Sequence, residues 1–470
     1  MYSRSRMGIA GLAILLIFAG IASAAPYLTP YDPQLTMQLA SFRAKPEWLD
    51  PSLPRNMYPI SDPTFASSNS LQEWTRVAPN PSLVSWSGKE GYPGIPEVDT
   101  GSGPGSIEIS SNPTGGNSTV SIEKTFAYTY DPPRRFSIHI AYKVIVEGNA
   151  RWNIQVQAKR ADGTVLTLWE SREQTGSIDW SVPSPPIDTN DVVLRLRLFK
   201  DVLADASRLF PVQGDYSVIL RVSTMTEGGT ARVYVDDFKA RIWGEAFGHL
   251  GTDNYGRDIF TQLIYGSRIS IVIGTFSAII AVVLGLIVGL AAGYIGGWVD
   301  EFLMRTNDIL LTIPGLPFLI VLTAVLGPSI WSVIVLIGLL GWMGIARLIR
   351  SQVLSLRTKA FVEASRASGG GTRHIIRKHL IPNVMTMAYT QLALTVPGAI
   401  VTEAALSFLG LGDPFLQTWG KMLHDVQYYG AVAEWWWAAP PGICIALLSM
   451  AFVFIGYALD DIFNPKLRKR

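Results

Sequence analysis

The sequence predicts a membrane-embedded bundle of six helices carrying a separate all-β sandwich domain between its first and second spans. Three observations lead there. Hydrophobic residues make up 48% of the 470 residues and charged residues only 16%, too few charges for a soluble chain of this length. The apolar residues gather into six stretches, each near the ~20 residues that a helix needs to cross a bilayer. Between the first two stretches the apolar pattern changes to strict alternation, the period of a half-buried strand.

The six stretches are residues 7–25, 269–294, 309–326, 330–346, 384–406 and 438–459, with a tight turn at Gly327-Pro328-Ser329 joining the third to the fourth. Lysine and arginine placement orients them. Arg4 and Arg6 precede the first span, and Lys466, Arg468, Lys469 and Arg470 follow the last. The loop between spans four and five carries Arg347, Arg350, Arg357, Lys359, Arg366, Arg373, Arg377 and Lys378, whereas the loop between spans five and six has Lys421 alone. Both termini and the Arg-rich loop are therefore expected on the cytoplasmic side of a plasma membrane, with residues 34–247 outside. The first span has a second reading, because Ala22-Ser23-Ala24 matches a signal-peptide cleavage pattern. A retained anchor is the reading adopted.

The intervening segment divides in two. Residues 34–105 are rich in Pro, Ser, Gly and Asn and read as extended linker. Residues 106–247 hold short alternating runs, among them 120–126, 136–140, 152–156, 192–198, 216–222 and 232–235. Their spacing predicts an antiparallel sandwich of about eight to ten strands. Its last run, Arg232-Val233-Tyr234-Val235-Asp236-Asp237-Phe238, resembles the closing strand of carbohydrate-binding jelly rolls. Trp152, Trp169, Trp180 and Trp243 could stack on sugar rings or fill a sheet core. Asp236 and Asp237 could hold calcium or simply end a strand, and Asn117-Ser118-Thr119 fits a glycosylation acceptor.

Composition excludes several classes. A net charge of +2, with no basic patch interleaved with aromatics, gives no footprint for nucleic acid. Cys444 is the single cysteine, so neither an intrachain disulfide nor a Cys-based metal site is open to it. His374 and His379 lack Cys, Asp or Glu partners at motif spacing, and no GxxxxGK[ST] phosphate loop occurs. No catalytic set and no cofactor site are expected in this chain.

The most informative segment is residues 357–383, which separates spans four and five. Glu363, Ala364, Ser365, Arg366 and Ala367 favour helix, and Gly369-Gly370-Gly371 stops it. A short basic helix follows until Pro382-Asn383, where the next apolar run begins. Inside the spans, Gly285, Gly289 and Gly293 repeat every fourth residue and predict a close helix–helix approach. Pro314, Pro317 and Pro397 interrupt helices; the freed carbonyls either line a cavity or mark simple kinks. Glu403, an acid near one end of span five, either caps a neighbouring helix or flanks a gate.

The spacing of Glu363-Ala364, Gly369 and Pro382 resembles the cytoplasmic loop by which permease subunits of ABC importers dock into their ATPases. More broadly, the start of the chain through residues 25–33 and everything from Gly248 onward resemble the C-type permease subunit of peptide/opine/nickel ABC importers. Gly251-Thr252-Asp253-Asn254-Tyr255-Gly256-Arg257-Asp258 resembles the family's GTDxxGRD element. Gly296-Gly297-Trp298-Val299-Asp300 with Arg305, Asp308 and Pro314, the run Glu403 to Gly412, and Trp419-Gly420 match further family elements in order. Departures are Ser365 where the family has Ala, three glycines where it has one, Tyr457 and Asn464 in place of acids, and the long insert.

That resemblance implies a type I ABC importer permease fold over residues 248–470 with an N-terminal helix in 1–33. It implies docking through Glu363, Ala364, Ser365, Arg366, Gly369, His379 and Pro382, and a gate or structural role for Glu403, Pro314 and Pro397. It further implies a second homologous permease, two ATPases that hold ATP and Mg, an extracellular solute-binding protein, and a di- or oligopeptide substrate. Oligosaccharide import is the alternative that the sandwich raises. A membrane-anchored receptor and an intramembrane enzyme fit the spans and the missing catalytic pairs less well.

Overall fold

A computed structural model describes residues 6–78, 83–94, 105–111 and 116–463. Arg4, Asn464, Lys466, Arg468, Lys469 and Arg470 lie outside the described residues. The chain divides into two compact units: residues up to 39 together with those from 253 onward, and residues 40–252.

In the second unit, β1 (Thr75–Val77), β2 (Val84–Ser87), β3 (Ser106–Ser110), β4 (Gly116–Tyr128), β5 (Phe136–Glu147) and β6 (Ala150–Lys159) come first. They are followed by β7 (Val165–Glu170), β8 (Gln174–Thr175), β9 (Ile178–Ser181), β10 (Ile187–Asp188), β11 (Gly214–Thr226) and β12 (Thr230–Ile242). Two six-stranded sheets result, in the orders β1-β4-β11-β6-β7 with β8 beside β6, and β10-β5-β12-β3-β2 with β9 beside β5. Every pairing is antiparallel. Alternation drives this arrangement: Val218, Leu220 and Val222 of β11 point into the same core as Ile138, Ile140, Val233 and Val235 of the other sheet.

Three sequence expectations change here. The run at 192–198 is a helix, α2 (Val192–Phe199), because Asp191 accepts the N–H groups of Val193 and Leu194 and Lys200 closes the end in a left-handed conformation. Alternation over so short a run does not outweigh both caps. Twelve strands stand among the described residues instead of eight to ten, because β8, β9 and β10 are very short edge pieces without a sequence signature. Residues 40–78, expected as linker, send Ile60, Phe65, Leu71 and Trp74 into the core.

Trp152, Trp169 and Trp243 are buried, and the Arg135 and Arg241 guanidinium groups cover Trp243 at 3.7 and 3.6 Å from its ring centre. Trp180 packs 5.8 Å from Tyr92. The Asp237 carboxylate is taken by Lys239 at 2.6 Å and His139 at 2.8 Å, and Asp236 accepts the Tyr92 N–H at 2.8 Å.

The first unit is helical: α1 (Arg6–Leu28), α3 (Ile259–Ile295), α4 (Gly297–Thr312), α5 (Gly315–Leu326), α6 (Ile330–Leu356), α7 (Ala360–Ala367) and α8 (Thr372–Ile375). A π-turn over Ile376–Leu380 leads into α9 (Ile381–Phe408), and α10 (Trp419–Tyr428) and α11 (Trp435–Phe463) complete the chain. Among the described residues five helices are long and apolar enough to cross a membrane, and a bent pair brings the number to six if counted as one span. That pair, α4 and α5, replaces the continuous third span expected over 309–326. It bends by 89° because Pro314 forces Ile313 into an extended conformation (ψ 127°).

The glycine repeat does what its spacing predicts. A Cβ on Gly285, Gly289 or Gly293 would lie 2.6, 2.7 and 2.8 Å from side-chain atoms of Ile345, Ile349 and Val353, so α3 and α6 pack backbone to side chain along their length.

Candidate functional site

Residues 357–383 form a short rigid knob on an apolar base. Val362, Ile375 and Leu380 are fully buried in one cluster with Leu290 of α3, Ile349 and Val353 of α6 and Val384 of α9. Arg357 adds a hydrogen bond to the Gly293 carbonyl at 3.2 Å. The remaining α7 side chains face outward: Glu363, Ala364, Arg366 and Ala367 are exposed and Ser365 is half-buried. Glu363 stands in the first turn of α7, where a negative charge suits the helix dipole.

The helix ends in a Schellman motif. Gly369 (φ +81°) donates its N–H to the Arg366 carbonyl at 3.1 Å, and Gly370 donates to the Ser365 carbonyl at 2.9 Å. A Cβ on Gly370 would sit 2.6 Å from that carbonyl oxygen, so two of the three glycines are required by the turn, whereas Gly371 has open space around it. The His379 ring lies 5.9 Å from Phe361 and 5.9 Å from His374, and Asn383 donates to the His379 carbonyl at 2.7 Å. Pro382 is exposed in the first turn of α9, where its missing N–H leaves no bond unmade. The predicted docking residues are thus brought together on one knob.

The other predicted residues lie elsewhere in the helical unit. Pro314 ends the bend at the start of α5, and Pro397 sits inside α9, which continues past it. A cavity of about 490 Å³ is lined by their chain neighbours Gly315 and Gly398 and by Ser277, Leu316, Thr395 and Thr402 among others, but by neither proline itself. Glu403 is buried in α9; it accepts the Ser407 hydroxyl at 2.6 Å, and its Oε2 has no hydrogen-bond partner among the described residues. Capping of α10 comes instead from Thr418, whose hydroxyl accepts the Lys421 N–H.

A polar cluster that the sequence reading treated only as a motif organises the start of α3. Asp258 caps it, accepting the Thr261 N–H at 2.9 Å. Asp253 accepts Arg257 Nε at 2.6 Å and Gln262 Nε2 at 2.8 Å, and Arg257 reaches Asp425 of α10 at 3.4 Å. Burial raises the Asp425 carboxyl above its ordinary range and lowers the Lys421 ammonium. Two further acids of the family-like elements are likewise paired: Arg350 holds Asp300 in a fork at 2.5 and 2.6 Å, and Arg347 meets Asp308 at 2.5 Å.

Five long apolar helices, a bent helix pair and a knob packed between α3, α6 and α9 define a multi-span membrane protein. Residues 261–469 match the family of binding-protein-dependent transport system inner membrane components, and residues 1–46 match the N-terminal membrane domain of oligopeptide transport permease C. The dipeptide transport system permease protein DppC of Bacillus subtilis is 42% identical over 221 residues, which cover 47% of this chain and 69% of the relative. The oligopeptide transport system permease protein OppC of the same organism is 41% identical over 225 residues, covering 47% of this chain and 72% of the relative. A chain of the inward-facing MetNI methionine ABC transporter overlaps 43% of this chain and 94% of its own length at 22% identity, with a TM-score of 0.36. The chain belongs to the inner-membrane components of binding-protein-dependent transport systems, and its family matches fall on either side of the β-rich unit.

Proposed function

We propose that this chain is the permease subunit of an ATP-driven importer of di- and oligopeptides, energised by separate ATPases that grip α7. The observation that carries the reading is the knob itself: an exposed, small-residue helix whose base is buried between α3, α6 and α9. A partner that moves α7 moves those three helices with it, which is what a two-state transport switch requires. ATP and Mg²⁺ belong to the partners. The family membership supports two ATPases, a second permease and an extracellular solute-binding protein.

Both termini and the 357–383 knob are assigned to the cytoplasm, and residues 34–247 to the outside, by the lysine and arginine bias. On that assignment α4 and α5 form one broken span, giving six crossings. The cavity beside Pro314 and Pro397 is then this subunit's half of the path, with Glu403 flanking it. Peptide is the favoured cargo because the similar relatives carry peptide permease names. Burial of three of the four candidate stacking tryptophans, Trp152, Trp169 and Trp243, also speaks against the oligosaccharide alternative.

The test is reconstitution of the full complex with Glu363→Ala and Gly369→Val variants. Both are expected to assemble as folded membrane protein while peptide uptake per ATP hydrolysed drops severalfold. Wild-type uptake and wild-type ATPase rates in both variants would remove the docking assignment.

A further inference from the structure

A second cavity, of about 560 Å³, opens beside the first third of α3 and matches no part of the proposed path. It is lined by Asp32, Gln34, Arg268, Val272, Phe415 and Gln417 together with other apolar side chains. Arg268 is nine residues into a helix of 37, or ~14 Å along an axis of ~55 Å. It is exposed, and among the described residues its only contact is the Tyr265 ring at 5.8 Å. A cation left without a counter-charge on a membrane helix calls for a partner.

Two more polar atoms in the same wall lack partners. Gln417 is 3% exposed; its Nε2 donates to Gln262 at 2.8 Å, but its Oε1 has no hydrogen bond. The buried Gln34 Nε2 likewise has none. Both atoms lie closed off behind the wall, so the polar groups that the cavity itself presents are the exposed Arg268 guanidinium and the exposed Asp32 carboxylate. The Asp32 carboxylate at its edge has one oxygen engaged by the Gln34 and Leu35 N–H groups. Below Arg268 the helix face is apolar: Val272, Phe276, Ile279 and Val283 follow at helical spacing, and the last three are 49%, 40% and 47% exposed.

We propose that this cavity is a binding site for an amine-bearing phospholipid of the phosphatidylethanolamine type. Its phosphate is held by Arg268, its ammonium by Asp32, and its acyl chains lie along the Val272–Val283 stripe. A soluble anion would use the cation but leave the stripe bare; an amphiphile uses both. The assignment does not depend on the transport reading or on which leaflet α3 starts in.

The full chain, purified and delipidated in detergent, is titrated with dioleoylphosphatidylethanolamine and examined by native mass spectrometry and thermal unfolding. Wild type is expected to retain one lipid adduct and to melt at a higher temperature with lipid present. Arg268→Gln is expected to weaken the adduct about tenfold or more, as loss of a charge-assisted contact implies, while Arg268→Lys keeps most of it. Val272→Trp, which fills the cavity, is expected to abolish it. Undiminished binding in Arg268→Gln overturns the proposal. So does displacement of the lipid from wild type by dialanine, which would make the site a peptide site. If Arg268→Gln is not recovered folded, a retained adduct in Val272→Trp overturns it equally.

Discussion

Gly370 donates its backbone N–H to the Ser365 carbonyl at 2.9 Å, and a single added methyl group would collide with that same oxygen at 2.6 Å. The helix that carries Glu363 is therefore ended by backbone geometry and not by chain flexibility. Three adjacent glycines suggest a loose joint, yet the first two are committed to one turn. Gly370→Ala should introduce about 1–3 kcal/mol of local strain and lower coupled uptake severalfold, whereas Gly371→Ala should behave as wild type. Uptake per ATP in the reconstituted complex checks both, and equal behaviour of the two variants would contradict the turn's role.

Arg257 and Asp253 form a buried pair at the head of α3, 7% and 0% exposed at their side chains. Removing one partner leaves the other charge uncompensated, so Arg257→Ala should destabilise the helical unit by about 3–5 kcal/mol. Arg257→Ala combined with Asp253→Ala should be less damaging than the sum of the singles. Thermal unfolding in detergent, run as a double-mutant cycle, measures the coupling; additive effects would mean that the pair is not the organising contact.

Packing of α3 on α6 gives a contrast between two glycines. Gly289→Leu has no space, with Ile349 and the Ala346 carbonyl within 2.8 Å of its Cβ, and should cost about 3 kcal/mol or abolish folded protein. Gly344→Ala meets nothing within 4 Å and should be neutral or stabilising by up to ~1 kcal/mol. Size-exclusion profiles and melting temperatures of the two variants separate these outcomes.

The β-rich unit should become more stable as pH is lowered from about 8 to about 5. Burial pushes the Asp236 carboxyl up to about 6 from 3.8, so the folded state keeps a proton that the unfolded state releases between those values. Its hydrogen bond to Asp237 raises His139 above its ordinary 6.5, so the stability it contributes is full below that value and is lost as pH rises through the folded one. Both signs agree. The Asp236 share over that range is on the order of 1 kcal/mol, and Asp236→Asn should flatten the slope of melting temperature against pH. An unchanged slope in that variant would show that the buried carboxyl is not its source.

Much of the helical unit was legible because its signals are local. Apolar length and the Gly285-Gly289-Gly293 spacing each follow from a few residues meeting lipid or a neighbouring helix. The knob was legible for the same reason: helix formers, two glycines and a proline act within their own turn. The strands of the β-rich unit were readable wherever alternation ran long enough, as in β4, β11 and β12. It failed at residues 192–198, where Asp191 and Lys200 cap a helix across an alternating run.

Amino-acid sequence alone determined the five long apolar helices, the presence of a β-rich insert, the knob at 357–383 and the family, since each depends on residue type at short range. Only the tertiary structure decided which partners the isolated signals met. It turned the GTDxxGRD motif into a buried network reaching Asp425, and placed Ile60, Phe65, Leu71 and Trp74 of a supposed linker in a core. It put an 89° bend between α4 and α5 at Pro314, buried Trp152, Trp169 and Trp243, and left Arg268 beside an amphipathic cavity. The physical reason is common to all of these. Burial and pairing are relations between residues far apart in the chain, and neither is written in the neighbourhood of any one of them.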